Sequence, residues 1–413
     1  MRSGGDQVAW LERLGDGNSN ILAAMRHFLA HDQVQRIGKF ARYLGWMWPL
    51  KADYSSLELL EEASRSAQLT GVARAWVGFA QSAAYLRRGT FGKAVSLARE
   101  SVLEFERAGD ASGLTYARFV LGMALGPTDR VAARTLHEAN LIDAQHRQDT
   151  WLATITSNVL ATIAIAEKDF ERARGHLETS LPAALSSGEL SLIAFAHLAG
   201  AAVALNDHIT DDHATELQTE HQTSHKTGHR LGLADAHLRA ALRAVQRIPL
   251  PPPLAVCLEG FAAIQAQRGQ LLRAAHLWGA ANTYRRTLNI TAGIEHLLFA
   301  SFLEPIRTQL DPLVFTKALE AGHGLNLEAA LEYALIQQGT LASPTSKRNA
   351  LSDLTSRELE VLELLSYGLS NRQIAAQLGT GVFTINGHVS AILSKLGVPN
   401  RSAATRYALE HTQ

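Results

Sequence analysis

Apolar residues recur along this chain at intervals of three and four, and the strict alternation that marks a half-buried strand is rare. Long stretches rich in Ala, Leu, Arg and Glu, with only 11 prolines in 413 residues, add helix propensity to that periodicity. The expected fold class is all-α. Between Val77 and Arg230 the pattern repeats: an Ala/Leu-rich helix, a polar turn, then a second helix ending near Gly or Asp. The second helices open with Phe91-Gly-Lys-Ala94, Arg130-Val-Ala-Ala133, Phe170-Glu-Arg-Ala173 and Asp211-Asp-His-Ala214, whose alanines stand 39, 40 and 41 residues apart. Gly71, Gly109, Asp149, Gly188 and Gly228, spaced by 38 to 40, are placed to close the pairs. A small residue at a crossing lets helix backbones approach, and Gly accepts the left-handed conformation just past a helix end. A lone pair cannot bury its apolar side, so neighbouring pairs must stack.

The recurring pair resembles a tetratricopeptide repeat (TPR), with a period near 40 rather than the ~34 of that family. A TPR-like α-solenoid is therefore expected, with residues 1–75 as its opening helices and 76–336 as its repeats. A break at Pro249-Leu-Pro-Pro-Pro253 precedes one further pair, Leu254 to Asn289, and residues 290–336 supply the capping helices. Residues 337–350 are polar, contain Gly339 and Pro344, and lack apolar periodicity; they read as a linker.

Residues 351–413 read as a separate domain of four short helices. Thr355-Ser-Arg-Glu358 and Ser370-Asn-Arg-Gln373 are capping boxes, flanked by Leu354 with Leu359 and by Leu369 with Ile374 as hydrophobic staples. Gly379-Thr-Gly381 is a short turn into a longer third helix, which is the helix-turn-helix arrangement. Projected at 100° per residue, Ile385, Val389, Ile392 and Leu396 share the core side of that helix. Phe383, Gly387, Ser390 and Ser394 then point outward, with Thr384, Asn386 and Ala391 on the flanks. Thr384, Asn386 and Ser390 are candidates for base-edge hydrogen bonds, and Asn paired with adenine is a common contact of that kind. Arg372, Lys395 and Arg401 are candidates for phosphates. A fourth helix, Arg401 to Glu410, puts Ala404 and Ala408 on one small-residue face suited to dimer packing.

Leu354-Thr-Ser-Arg-Glu-Leu-Glu-Val-Leu362, Gly368-Leu-Ser-Asn-Arg-Gln-Ile-Ala375, Thr384-Ile-Asn-Gly-His388 and Lys395-Leu-Gly-Val398 resemble the LuxR-type (GerE-like) DNA-binding domain. The resemblance covers essentially all of 351–410 and puts Thr384, His388, Lys395 and Leu396 on signature positions. It implies an interface made of Ser370, Arg372, Phe383, Thr384, Asn386, Gly387, His388, Ser390, Lys395 and Arg401, used by a homodimer on double-stranded DNA, with activation through RNA polymerase. The chain departs from the family at Gly381, where Ser is usual, and at Phe383 and Asn386, where basic residues are usual. Trp10-Leu-Glu-Arg-Leu14, Asn20-Ile-Leu-Ala-Ala24 and the aromatic cluster Tyr43 to Trp48 resemble the junction beyond the nucleotide-binding module of large LuxR-type regulators of the STAND ATPase class. Cys257-Leu-Glu-Gly-Phe261 and Arg273-Ala-Ala-His-Leu-Trp-Gly-Ala-Ala281 resemble their last helical repeat, and Glu320 to Leu335 the segment before their DNA-binding domain. The implied protein is a sensor solenoid, answering to an unidentified effector or protein ligand, joined to an output domain without the ATPase. The closest approach to a phosphate-binding loop, Gly92-Lys93-Ala94, lacks the first Gly and the hydroxyl that such a loop requires.

Charge qualifies this picture. The chain carries 39 Lys+Arg against 39 Asp+Glu, whereas nucleic-acid binders usually show a basic excess. Residues 351–413 are neutral too, with Arg357, Arg372, Lys395, Arg401 and Arg406 against Asp353, Glu358, Glu360, Glu363 and Glu410. Weak, dimer-dependent DNA binding is the consequence, and a protein-interaction adaptor with a degenerate helix-turn-helix is the rival reading. Residues 1–9 lack a signal-peptide core, and the most apolar stretch, Leu190 to Leu205, is shorter than the ~20 residues that span a bilayer. The expected setting is cytoplasmic, with no membrane partner. The single cysteine, Cys257, lies among apolar neighbours and reads as a core residue. His221, His225 and His229 have metal-ligand spacing, but a solvated face is the plainer account. His137-Glu138 lacks the second His of a zinc-protease motif, since position 141 is Leu. Trp46 and Trp48 read as core filling. No activated nucleophile or catalytic carboxylate pair stands out, so neither enzymatic activity, metal nor cofactor is expected.

Overall fold

The computed structural model describes residues 7–50, 54–206, 220–247, 251–288, 297–335, 354–366, 369–396, 398, 401, 404–405 and 407–408. The described residues contain helices and no strand. The first four are α1 (Gln7–Ala30), α2 (Ile37–Leu44), α3 (Met47–Leu50) and α4 (Leu57–Arg65). The repeats follow as α5 (Gly71–Arg87), α6 (Phe91–Ala108), α7 (Ala111–Leu125), α8 (Arg130–His146), α9 (Thr150–Ala166), α10 (Phe170–Ser187), α11 (Leu190–Asn206) and α12 (Glu220–Arg247). Then come α13 (Pro251–Gln267), α14 (Leu271–Thr287), α15 (Ala300–Gln309), α16 (Pro312–His323) and α17 (Leu327–Leu335). The C-terminal helices are α18 (Ser356–Ser366), α19 (Asn371–Gln377) and α20 (Val382–Leu396).

An acidic residue starts a repeat helix about every 20 positions. The carboxylates of Asp110, Asp129, Asp149 and Asp169 each accept from the backbone N–H three residues on, at 3.0 Å. Glu189 does the same for Leu192 at 2.9 Å. Each cap satisfies an otherwise orphaned helix N–H. Just before these caps the chain turns through the left-handed region, at Gly109, Gln148, Lys168 and Gly188. The acidic cap opens both helices of a pair, and a left-handed residue precedes each of these caps except Asp129.

The two helices of a pair are buried differently. In α9 every residue from Thr154 to Ile165 is buried, whereas α8 buries only Ala133, His137, Asn140 and Ala144. That one-sided stripe recurs in α6 as Ala94, Ala98, Ser101 and Phe105, and in α10 as Ala173, Leu177, Ser180 and Ala184. The first helices thus form an inner layer and the second helices cover it with a narrow stripe. Close packing between the layers needs small residues. A Cβ at Gly122 of α7 would lie 2.6 Å from Nε2 of His137 on α8, so only glycine fits.

The fourth pair departs from expectation. Gly228 was placed to close a turn before His229, but α12 runs through it without a break. Helix context overrides the modest helix cost of a single glycine there. The second-helix start expected at Asp211–Ala214 and the linker expected at 337–350 lie outside the described residues.

The chain divides into two compact units, 1–260 with 285–301, and 261–284 with 302–413. In the first, the Gln7 side chain of α1 donates to Glu189 and accepts from the Leu190 N–H at 2.9 Å, tying the opening helix to the start of α11. Cys257 is fully buried, as its apolar neighbours predict. In the second, residues from Leu354 to Ala408 make a hydrophobic core of their own.

Candidate nucleic-acid interface

Both expected capping boxes are present. Glu358 accepts from the Thr355 backbone N–H at 2.7 Å while its own N–H donates to the Thr355 hydroxyl at 3.2 Å. The Ser370 N–H donates to Gln373 at 2.8 Å, and the Gln373 N–H donates back to the Ser370 hydroxyl. These boxes fix where α18 and α19 start. Arg357 donates to the Leu378 carbonyl at 2.7 Å, closing the end of α19, and Gly379 then turns the chain with φ +60°. The third helix, α20, buries Ile385, Val389, Ile392 and Leu396, the four residues that its period assigns to the core. Thr384, Asn386 and Gly387 are exposed beside them, and His388 is half-buried. The side chains of Phe383 and Ser390 lie outside the described residues, although both sit within α20.

The cations are placed unequally. Lys395 donates to both carboxylate oxygens of Glu358, at 2.7 and 3.0 Å, pinning the end of α20 to the start of α18. That hydrogen bond, ahead of the one from the Thr355 N–H, brings the Glu358 carboxyl down to about 2. Arg401 donates to the Leu369 carbonyl and to the Asn371 side chain. Arg372 is exposed, and among the described residues no ion pair involves it. So of three cations expected at phosphates, two are engaged in holding the domain together.

Ala404 and Ala408 require a correction. Expected as a dimer surface, both are fully buried in the domain's own core. Their small side chains let the fourth helix approach the other three, and that satisfies the same sequence pattern within one chain. Asn371 was missed. It follows a capping serine and reads as an ordinary helix-start residue, yet its Nδ2 donates to Oδ1 of Asn386 on α20 at 2.7 Å.

The family model "Bacterial regulatory proteins, luxR family" matches residues 352–408. Those residues are a LuxR-family helix-turn-helix domain. The chain is 48% identical over 65 residues to the transcriptional regulatory protein LnrK of Bacillus subtilis, covering 16% of this chain and 30% of that protein. Response regulator Rre1 of Synechocystis is 46% identical over 59 residues, 14% of this chain and 26% of its own length. Rv0890c of Mycobacterium tuberculosis, assigned as an HTH-type transcriptional regulator, is 27% identical over 168 residues, 40% of this chain and 18% of its own. A match that long exceeds the LuxR-family domain and must include part of the helical region. The chain spans less than a third of the length of each of these relatives. No solved structure matches it.

Outside the LuxR-family domain the other candidates are structural. Gly92-Lys93-Ala94 lies in the first turn of α6. His137 is fully buried against Phe119, and desolvation brings it down to about 3, so it is neutral. Trp48 donates to Asn18 at 3.1 Å, and Trp46 packs edge-on to Phe119. A cavity beside Trp46, Phe119, Asn158 and Phe195 holds about 30 Å³, room for water. The side chains of His221 and His225 lie outside the described residues. Among the described residues no group of three potential ligands could hold a metal. No described helix is long and apolar enough to cross a membrane.

Proposed function

We propose that this protein is a DNA-binding transcription regulator whose helical repeats answer to an effector or partner and whose C-terminal domain binds promoter DNA. The observation that carries this is the LuxR-family match over 352–408, combined with an exposed edge of Thr384, Asn386 and Gly387 on a helix whose opposite side is buried. The protein acts by binding rather than catalysis, in the cytoplasm where the chromosome is reached. A homodimer would set two α20 helices in major-groove turns ~34 Å apart, contacting RNA polymerase from the promoter. With Ala404 and Ala408 buried, its dimer face is built from other residues. Two cavities in the helical region, about 100 Å³ beside Leu14, Asn18 and Trp48 and about 30 Å³ beside Trp46, are both below the ~300 Å³ or more of ordinary ligand sites, which favours a protein or peptide as the partner of the repeats.

The adaptor reading draws support from Lys395 and Arg401, which are engaged internally. A salt series on the full chain with its own upstream DNA separates the two. A regulator binds at low salt and loses affinity as salt rises, and Arg372→Ala weakens all sequences alike, lowering the logarithmic salt slope by about one. Absence of binding at low salt would leave the adaptor.

A further inference from the structure

The side-chain amide of Asn386 is held in one orientation, and that orientation decides which bases it can read. The constraint begins at Arg401, whose guanidinium carries only donors. Because Arg401 donates to Asn371, the Asn371 oxygen must face it, and the Asn371 amino group must face the other way. There it donates to Asn386 at 2.7 Å, so the Asn386 oxygen is turned inward. One lone pair of that oxygen is taken and its direction fixed, and the Asn386 amino group is the part of the side chain left pointing away from Asn371 at this exposed position. Arg401 is itself anchored on the Leu369 carbonyl, so the relay starts from fixed backbone.

We infer that Asn386 reads DNA as a hydrogen-bond donor, selecting guanine, and that Asn371 and Arg401 are positioning residues for that contact. The inference rests on the DNA-binding reading above. In the major groove guanine offers two adjacent acceptors, O6 and N7, whereas cytosine offers an amino donor. Adenine sets an amino donor beside its N7, and the paired Asn–adenine contact needs the Asn oxygen as well as its nitrogen. In this protein that oxygen already faces Asn371. The adenine contact suggested by residue type alone is therefore replaced by a guanine contact.

The test is selection of binding sites by the full chain from a randomised double-stranded DNA pool. The position whose base preference vanishes in Asn386→Ala is expected to be guanine, favoured over adenine and cytosine by about fivefold or more. Asn371→Asp still accepts from Arg401, and an acidic residue suits the first turn of α19, but it cannot donate to Asn386. It should reduce the guanine preference at that one position to below about twofold, with an unchanged thermal midpoint. Any loss caused by the added negative charge is uniform across bases and leaves that ratio alone. Asn386→Asp presents only acceptors and should move the preference to cytosine. Adenine at this position in the wild type, guanine retained in Asn371→Asp, or guanine retained in Asn386→Asp would each overturn the inference. If the wild type enriches no duplex, the DNA-binding reading fails and takes the inference with it. Enrichment without guanine at the Asn386-dependent position removes the inference alone.

Discussion

The repeats and the LuxR-family domain are both helical and both capped by polar side chains, but they differ in the polar groups they bury. In the repeats, polar side chains sit between the layers: His137, Asn140 and Ser180 are buried on α8 and α10 with side-chain atoms that no protein group satisfies. Such groups are costly unless water or a tight fit compensates, and they are held by a core that extends over many helices. In the C-terminal domain polar groups are paired, within one turn for Thr355 with Glu358 and Ser370 with Gln373, and across the domain for Glu358 with Lys395 and Asn371 with Arg401. A domain of some sixty residues has little core to spare, so it uses caps and ion pairs to define itself. Residues that fix the fold in this way, Lys395 and Arg401 among them, are engaged within the domain itself.

The strongest test of this contrast is Phe105→Ala. Phe105 is fully buried, with the Trp76 ring 5.0 Å away, and losing it should cost about 3–5 kcal/mol. Denaturant unfolding followed by hydrogen exchange should show the loss in the repeats, with amides of α18–α20 unchanged. Equal losses in both would mean that the two regions fold as one.

Acid should separate them next. Desolvation places His137 at about 3, and desolvation with the nearby His237 and Arg243 charges places His197 at about 4, both below their ordinary 6.5. The unfolded repeats bind more protons than the folded ones between those limits, so their stability falls as pH drops from about 6.5. In the C-terminal domain Glu358 stands at about 2 against an ordinary 4.5. Its stabilising contribution is complete above 4.5 and is lost as pH falls toward 2. Hydrogen exchange across an acid series should therefore show the repeats opening first, and Glu358→Gln should remove the lower window. A smaller effect should come from Lys168→Gly. Lys168 holds φ +62°, where side chains are strained, and glycine there should raise the unfolding free energy of the repeats by about 0.5–1 kcal/mol, read from denaturant unfolding.

Helix period and the two C-terminal capping boxes were legible in the sequence because each depends on neighbours within about four residues. Ile385, Val389, Ile392 and Leu396 fall on the core side for that reason alone. The acidic caps of the repeat helices were not picked out, and Asp149 was read as closing a pair rather than opening a helix. Gly228 was misread since a turn residue and a tolerated helix residue share one identity. Ala404 and Ala408 were misread since a small-residue face serves an internal contact as well as a dimer.

What the sequence by itself determined is the all-helical repeat, its spacing near 40 residues and the LuxR-type helix-turn-helix, all set by local periodicity and punctuation. What only the tertiary structure decided is how the charged and amide side chains are used. Lys395 meets Glu358 across 37 positions, and Arg401 meets Asn371 across 30. Neither pairing leaves a mark in either segment alone. A hydrogen bond depends on distance and direction in space, and folding alone brings such distant residues together.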